Sequence, residues 1–277
     1  MSKKAKKRTV FAVIIAILCA LSAWGFALKT VRYKVSTDKL DKNIRIVFIS
    51  DLHNCFFGDT NNSKLIREVD KADPDIVIFG GDIIDGWGGT EHALDLMTEL
   101  SGRYPCVYTP GNHEEMRDDT EEFYEKAGQI CPLLLGNKEE LSVNGQNIRI
   151  YGVLDSVEWG KGKPQLDECF DDLDNTYYNI LIAHQPEQID SYLGKNDKYF
   201  DLILSGHAHG GQWRIPKLLD QGLYAPDQGI LPKYTTGQYK YDNTTHIISR
   251  GLARPMRMIF IPRIFNRPEL SVIDINN

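Results

Sequence analysis

Five times along this 277-residue chain a short apolar run gives way to a cluster of metal-binding or turn-forming residues. Residues 46–49 lead into Ser50-Asp51-Leu52-His53, and residues 76–79 into Gly80-Gly81-Asp82-Ile83-Ile84-Asp85. The weaker run 106–108 precedes Gly111-Asn112-His113-Glu114. Residues 180–183 reach His184-Gln185, and residues 202–204 reach Gly206-His207-Ala208-His209-Gly210-Gly211. Short uninterrupted apolar runs are the mark of strands buried on both faces of a sheet. Ligands of α/β sheets bind beyond the carboxyl ends of the strands, so the five clusters can converge on one place. Five of the seven histidines fall inside them.

Helical patterns separate the runs. Leu65, Ile66, Val69 and Ala72 recur at helical spacing behind the capping candidates Asn61, Asn62 and Ser63. Ala93, Leu94, Met97 and Leu100 repeat the pattern, and Phe123, Tyr124 and Ala127 follow Asp119 with Gly128 as the expected stop. Leu166, Cys169, Phe170 and Leu173 make a fourth helix. Asn144-Gly145 predicts a tight hairpin turn between residues 140–143 and 148–153, and a second hairpin is expected through 237–241 and 246–249. The alternation predicts an α/β fold of two packed, mixed β-sheets flanked by helices, one domain over residues 44–277.

The amino-terminal segment reads differently. Residues 1–9 carry five basic groups, residues 10–28 are uncharged, and Lys29, Arg32 and Lys34 follow. Nineteen residues make a helix of about 28 Å, close to the hydrocarbon thickness of a bilayer. A secretory signal has a shorter apolar core, although Ala23-Trp24-Gly25 offers a small-x-small cleavage site. The segment is therefore expected to be a transmembrane anchor, with a cleaved signal peptide as the rival reading. Five basic residues before the run against three after it favour a cytoplasmic amino terminus and an extracytoplasmic body on the cell membrane. Residues 29–43 are expected to be a polar tether.

Charge excludes one class of partner. The chain carries −6 overall, and residues 1–34 hold eight basic and no acidic groups, so residues 35–277 carry −14. Such a body repels nucleic acid. Five cysteines without a CxxC pair argue against a disulfide framework or a structural zinc site.

Histidine and aspartate together suit borderline divalent ions. Asp51 and His53 stand two apart at a strand end, so their side chains can face the same way. Asp82 has two oxygens and can bridge two ions. Two divalent ions against two carboxylates and a hydroxide leave about one net positive charge, enough to hold a phosphoester, and a neutral Asn112 preserves that balance.

The ordered series resembles the calcineurin-like metallophosphoesterases, whose signature reads DxH, GDxxD, GNH[DE], H and GHxH. All five elements are present between Asp51 and His209. Gly210-Gly211-Gln212, Ser249-Arg250-Gly251 and Arg267-Pro268-Glu269 also resemble a membrane-anchored bacterial branch of phosphodiesterases, with Ala253 standing where glycine is expected. The resemblance implies two divalent ions, manganese first, with iron or zinc also suited. One would be held by Asp51, His53, Asp82 and His209, the other by Asp82, Asn112, His184 and His207. It further implies that a metal-held hydroxide attacks phosphorus in line, that His113 assists the leaving group without binding metal, and that Asp85 and Glu114 orient ligands.

The remaining candidates read as ordinary. His92 and His246 lie on a helix and a strand, and Cys55 is expected in loop packing. Phe56, Phe57 and Trp87 border the site loops, and Arg250, Arg254 and Arg257 can clamp a phosphate or form surface ion pairs. The expected function is a membrane-anchored metal-dependent phosphodiesterase acting on a phosphoester substrate that a lipid or the wall can carry. Alternatives are a hydrolase of a lipid-linked diphosphate, resembling the UDP-diacylglucosamine hydrolases, and a broad phosphatase. A non-enzymatic scaffold is disfavoured, because every ligand and the catalytic histidine are kept.

Overall fold

The computed structural model describes residues 7–9, 11–12, 27–154, 162–194, 197–254 and 263–277. Two mixed sheets lie face to face. The first contains β1 (Lys29–Ser36), β2 (Ile44–Ile49), β3 (Ile76–Gly80), β4 (Cys106–Thr109) and the last strand, β13 (Glu269–Asn276), in the order β1-β13-β2-β3-β4. The second contains β5 (Lys138–Val143), β6 (Gln146–Val153), β7 (Tyr178–Ala183), β8 (Leu202–Ser205), β11 (Gly237–Tyr241) and β12 (Thr244–Ile248), in the order β11-β12-β8-β7-β6-β5. A two-stranded ribbon, β9 (Tyr224–Ala225) and β10 (Gly229–Ile230), stands apart.

The period-two alternation of each strand sorts its side chains between two cores. Ile46, Phe48, Ile76, Ile78 and Ile273 of the first sheet meet Ile148, Ile150, Ile180, Ile182, Leu202 and Leu204 of the second in one buried cluster. The outer face of the first sheet, with Val47, Ile49, Val77 and Phe79, is covered by α1 (Ser63–Ala72), α2 (Glu91–Ser101) and α4 (Thr120–Ile130). The outer face of the second, with Tyr151, Leu181 and Ile203, is covered by α5 (Gly162–Asp172) and α6 (Ile189–Tyr192). Both hairpins form, and Asn144 and Gly145 take positive φ of 54° and 80° as a tight I′ turn requires.

Strand direction decides what meets at each end. β2, β3 and β4 are parallel to one another, as are β6, β7, β8 and β12. The two sets end together: the His207 N–H donates to Asp51 Oδ1 (2.8 Å), and the Leu252 N–H to the Ser50 carbonyl (3.0 Å). β13 runs against β2, and β1 runs with β13, so both of these begin at the end where the others finish.

Three expectations are corrected here. The tether expected over residues 29–43 is largely strand: residues 29–36 pair with β13 through eight residues. The alternation of Val31, Tyr33 and Val35 with Arg32 and Lys34 explains it, because Tyr33 and Val35 are buried while the basic residues stay exposed or half-buried. Asn62 does not cap α1 with its side chain; its Oδ1 accepts the Phe57 N–H (3.1 Å). Gly128 lies inside α4, which runs to Ile130, since burial of Phe123 and Ala127 outweighs the roughly 1 kcal/mol that a mid-helix glycine costs. The apolar run 10–28 falls mostly outside the described residues, and among these no helix is long and apolar enough to cross a membrane.

His246 illustrates how tightly the second sheet is packed. It is fully buried, and its Nε2 lies 2.9 Å from Ser205 Oγ, whose own proton goes to the Ala183 carbonyl. Burial holds the imidazole down to about 3. The unfolded chain takes up a proton near pH 6.5 that the folded chain refuses, so this residue's stabilising contribution is present above pH 6.5 and is lost as pH falls from 6.5 towards 3. We expect His246→Gln to flatten the unfolding free energy across that window, by up to about 1.4 kcal/mol per pH unit, in denaturant titrations against the parent chain.

Candidate metal centre

Each expected ligand stands on a turn that the chain makes on leaving a buried strand. Asp51, His53, Asp82, His207 and His209 all hold positive φ, between 47° and 63°. A left-handed backbone costs a non-glycine residue roughly 1–2 kcal/mol, and such strain gathers where a site requires it. The neighbouring chain leaves no slack. A Cβ on Gly81 would stand 2.3 Å from His184 Nδ1, and one on Gly251 would stand 2.4 Å from Asp51 Cβ.

One buried carboxylate holds the centre of this arrangement. Glu114 belongs to α3 (Asn112–Glu115). Its Oε2 accepts the Asp82 and Gly111 N–H groups (both 2.9 Å), and its Oε1 accepts those of Ile83 (2.7 Å) and Ile84 (3.1 Å). The turn after β3 is thereby tied to the turn after β4. Burial and the Asp82 charge push the Glu114 carboxyl up, against the four N–H groups that favour its anion.

Asp82 is the hub. Its Oδ2 lies 3.1 Å from His184 Nε2, 3.8 Å from His53 Nε2 and 3.9 Å from His113 Nε2, and its Oδ1 accepts the His113 N–H (2.9 Å). Burial alone would raise its pKa, but the surrounding imidazoles hold it well below the usual carboxylate range. Two groups with mutually close donor atoms flank it: Asp51, His53 and His209 on one side, His184 and His207 on the other. Burial lowers His53 to about 4 and pushes His209 down as well, so both rings are neutral and offer lone pairs. The His184 Nδ1–H donates to the Gly80 carbonyl (2.9 Å), which turns Nε2 towards Asp82. Asp51 Oδ2 and Asn112 Oδ1 are buried acceptors without a hydrogen-bond partner. Buried acceptors and neutral imidazoles around a carboxylate are a donor set that fits divalent cations.

All eight expected site residues are thus brought to one place. His113 also lies within ligating reach of His53 and Asp82, but its Nδ1 is bound to Asp85 Oδ1 at 2.7 Å. Asp85 and Glu114 both hold partners of the site, as expected. Phe57 packs in the core, and Cys55 packs against it. Arg254 donates to the Phe56 carbonyl (2.8 Å) with its guanidinium beside both phenyl rings. Arg250 is not on the surface: it is buried and paired with Glu269 (2.5 Å). Arg257 lies outside the described residues. Ala253 is buried without left-handed backbone, so no glycine is needed there.

Two residues escaped the sequence reading. Asp227, in the turn of the β9–β10 ribbon, lies 2.7 Å from His207 Nε2, and that contact holds its carboxyl below the usual range. Arg263 is 2% exposed and stands 3.4 Å from His209 Nδ1, with Nη1 lacking a hydrogen-bond partner. Nothing in the sequence links either to the motifs, beyond Asp227 lying in a long loop after the GHAH element.

Residues 44–211 match the family described as calcineurin-like phosphoesterase. An uncharacterized metallophosphoesterase of Helicobacter pylori strain J99 is 30% identical over 77% of this chain, which spans only 55% of that protein. The uncharacterized metallophosphoesterase YkuE of Bacillus subtilis is 28% identical over 84% of this chain and 79% of its own length. Among solved structures, the NAD nucleotidase of Haemophilus influenzae superposes with a TM-score of 0.50 at 18% identity, over 76% of this chain and 45% of that one, a likeness of fold.

Because His207 presents Nε2 to Asp227, an ion beside Asp82 would be met by Nδ1. A carboxylate behind a ligating imidazole fixes its tautomer and raises its basicity. Asp227→Asn is therefore expected to weaken binding of one ion by about 10–100-fold while leaving the fold intact, read by metal titration with analysis of bound stoichiometry.

Proposed function

Since this chain belongs to the calcineurin-like phosphoesterases, a family of metal-dependent phosphoester hydrolases, we propose that it is a membrane-anchored, two-metal phosphodiesterase. The observation that carries the reading is the placement of Asp82 between the Asp51–His53–His209 and His184–His207 groups. Divalent ions in such a site neutralise phosphoryl oxygens and acidify a water to make a nucleophile. Manganese suits the mixed carboxylate and imidazole donors, as iron and zinc do.

The chain's own residues do the rest. Asn112 offers a neutral oxygen, so the site keeps about one positive charge, which matches the single negative charge of a diester. Asp85 accepts a hydrogen bond from the Nδ1–H of His113, which leaves the ring's Nε2 facing the site to hold or deliver a proton at the leaving oxygen. Glu114 keeps the Asp82 turn from yielding as charge shifts. A second reading, hydrolysis of a lipid-linked diphosphate, draws on Arg263, whose buried guanidinium beside His209 suits a second phosphate.

The uncharged run 10–28 and the basic residues around it support anchoring, with the body outside the cytoplasm. A reporter fused after Asn277 should be active only on the extracytoplasmic side; activity confined to the cytoplasm would reverse the orientation.

In a panel of aryl esters, the metal-reconstituted protein should hydrolyse diesters faster than monoesters and lose turnover on chelation. His113→Ala should retain its ions and lose about 10²–10⁴-fold in turnover, with a smaller loss for good leaving groups. Loss of metal in that variant would make His113 a ligand, and undiminished turnover after chelation would end the metal reading.

A further inference from the structure

Among the described residues, most of the exposed large apolar side chains gather on one segment. Within residues 27–277, nine large apolar side chains are exposed among the described residues. Six lie on residues 213–231, the segment that leaves the GHAHGG turn and carries Asp227 to His207. Phe265 adjoins that segment, since Ile264 pairs with Trp213, and the next residue, Asn266, donates to the His209 carbonyl (2.6 Å). Trp87 and Met116 follow Asp85 and His113 closely in sequence. Leu218 is 79% exposed, and the adjacent Ile230 and Leu231 are 75% and 66% exposed, on a segment that carries six such side chains.

The chain itself says what that segment meets. β1 starts beside the residues that follow Phe265: the Lys29 N–H donates to the Pro268 carbonyl (2.8 Å), and Arg267 donates to the carbonyls of Ala27 (2.8 Å) and Leu28 (2.6 Å). Leu28 is already buried, so no free linker separates the uncharged run 10–28 from the sheet. An apolar segment attached without slack beside an apolar surface brings both to one plane. Exposed Lys217 and Lys233 flank the segment, with exposed Asp220 and Asp227 between them.

We propose that the segment 213–231, with Phe265, docks into the interfacial layer of a phospholipid bilayer and holds the metal centre towards it, so that the substrate is a phosphodiester presented at the membrane surface. The statement of substrate rests on the phosphodiesterase reading; the docking does not. Indole and leucine side chains suit the boundary between headgroups and acyl chains. The ribbon's inner side reaches His207 through Asp227 while its outer side carries Ile230 and Leu231, which sets the distance from lipid to metal by a single short hairpin.

The test uses the full chain in phosphatidylcholine–phosphatidylglycerol vesicles. With Trp24→Phe, Trp87→Phe and Trp159→Phe, Trp213 is the single indole, and lipids brominated near the acyl carbonyls should quench it strongly. Adding Leu218→Asp, Ile230→Asp and Leu231→Asp should abolish the quenching, lower turnover of a vesicle-borne phosphodiester at least about tenfold, and leave turnover of a soluble aryl diester unchanged. An unquenched Trp213 overturns the docking, as does equal turnover of both substrates in the aspartate variant. Unquenched protein that passes from dimer to monomer in that variant assigns the surface to a second copy instead. Failure of the unsubstituted chain to hydrolyse any soluble diester defeats the phosphodiesterase reading, while the quenching still reports on the surface.

Discussion

Four backbone N–H groups converge on the Glu114 carboxylate, two of them on each oxygen. Through that one side chain the turns after β3 and β4 become a single rigid piece, and that piece carries Asp82, Asn112 and His113. A buried carboxylate is costly unless its oxygens are satisfied, and here the satisfaction comes entirely from backbone that must be held in place anyway. The same economy recurs across the sandwich, where Asp51 Oδ1 accepts the His207 N–H and so joins the end of β2 to the end of β8. The two sheets are therefore locked at the site by carboxylates that are themselves candidate ligands or hold candidate ligands in place.

Such locking explains why left-handed backbone can persist at five of the expected ligands, Asp51, His53, Asp82, His207 and His209. Each turn is fixed by packing and hydrogen bonds from a different strand, so no single residue can relax its φ without displacing a neighbour. The glycines at 81 and 251 show the other side of this constraint: the backbone there passes so close to His184 and Asp51 that a methyl group has no room. Strain and close packing together hold buried donors such as Asp51 Oδ2 and Asn112 Oδ1 facing inward in spite of the polar groups they leave unsatisfied.

Much of this was legible in the sequence, for physical reasons that also mark its limits. The runs ending at Asp51, Asp82, His184 and His207 could be read because strands buried on both faces are uninterrupted in their hydrophobicity. β1 was hidden because Arg32 and Lys34 alternate with its inward residues and resemble the basic flank of an apolar segment. Gly128 misled because a helix packed on a sheet does not end where propensity alone would end it. Asp227 and Arg263 carry no local signal: the first reaches His207 from the tip of a ribbon too short to leave a strand pattern, and the second approaches His209 from the far side of the carboxyl-terminal loop.

The position of β13 bears on how the protein is made. It lies between β1 and β2, so the interior of the first sheet is filled by residues 269–276, and β1 has that strand as its hydrogen-bonded neighbour. A ribosome delivers β1 long before residues 269–276, its partner. The second sheet and the parallel β2–β3–β4 unit can assemble during synthesis, but β1 must wait with an unpaired edge until residues 269–276 have emerged. Closure of that gap joins residues 240 positions apart in sequence, a slow kind of pairing, and it also draws Glu269 onto Arg250 and Tyr33. The edge of the first sheet that β1 occupies thus becomes solid only after those distant residues arrive, long after β1 itself has been made.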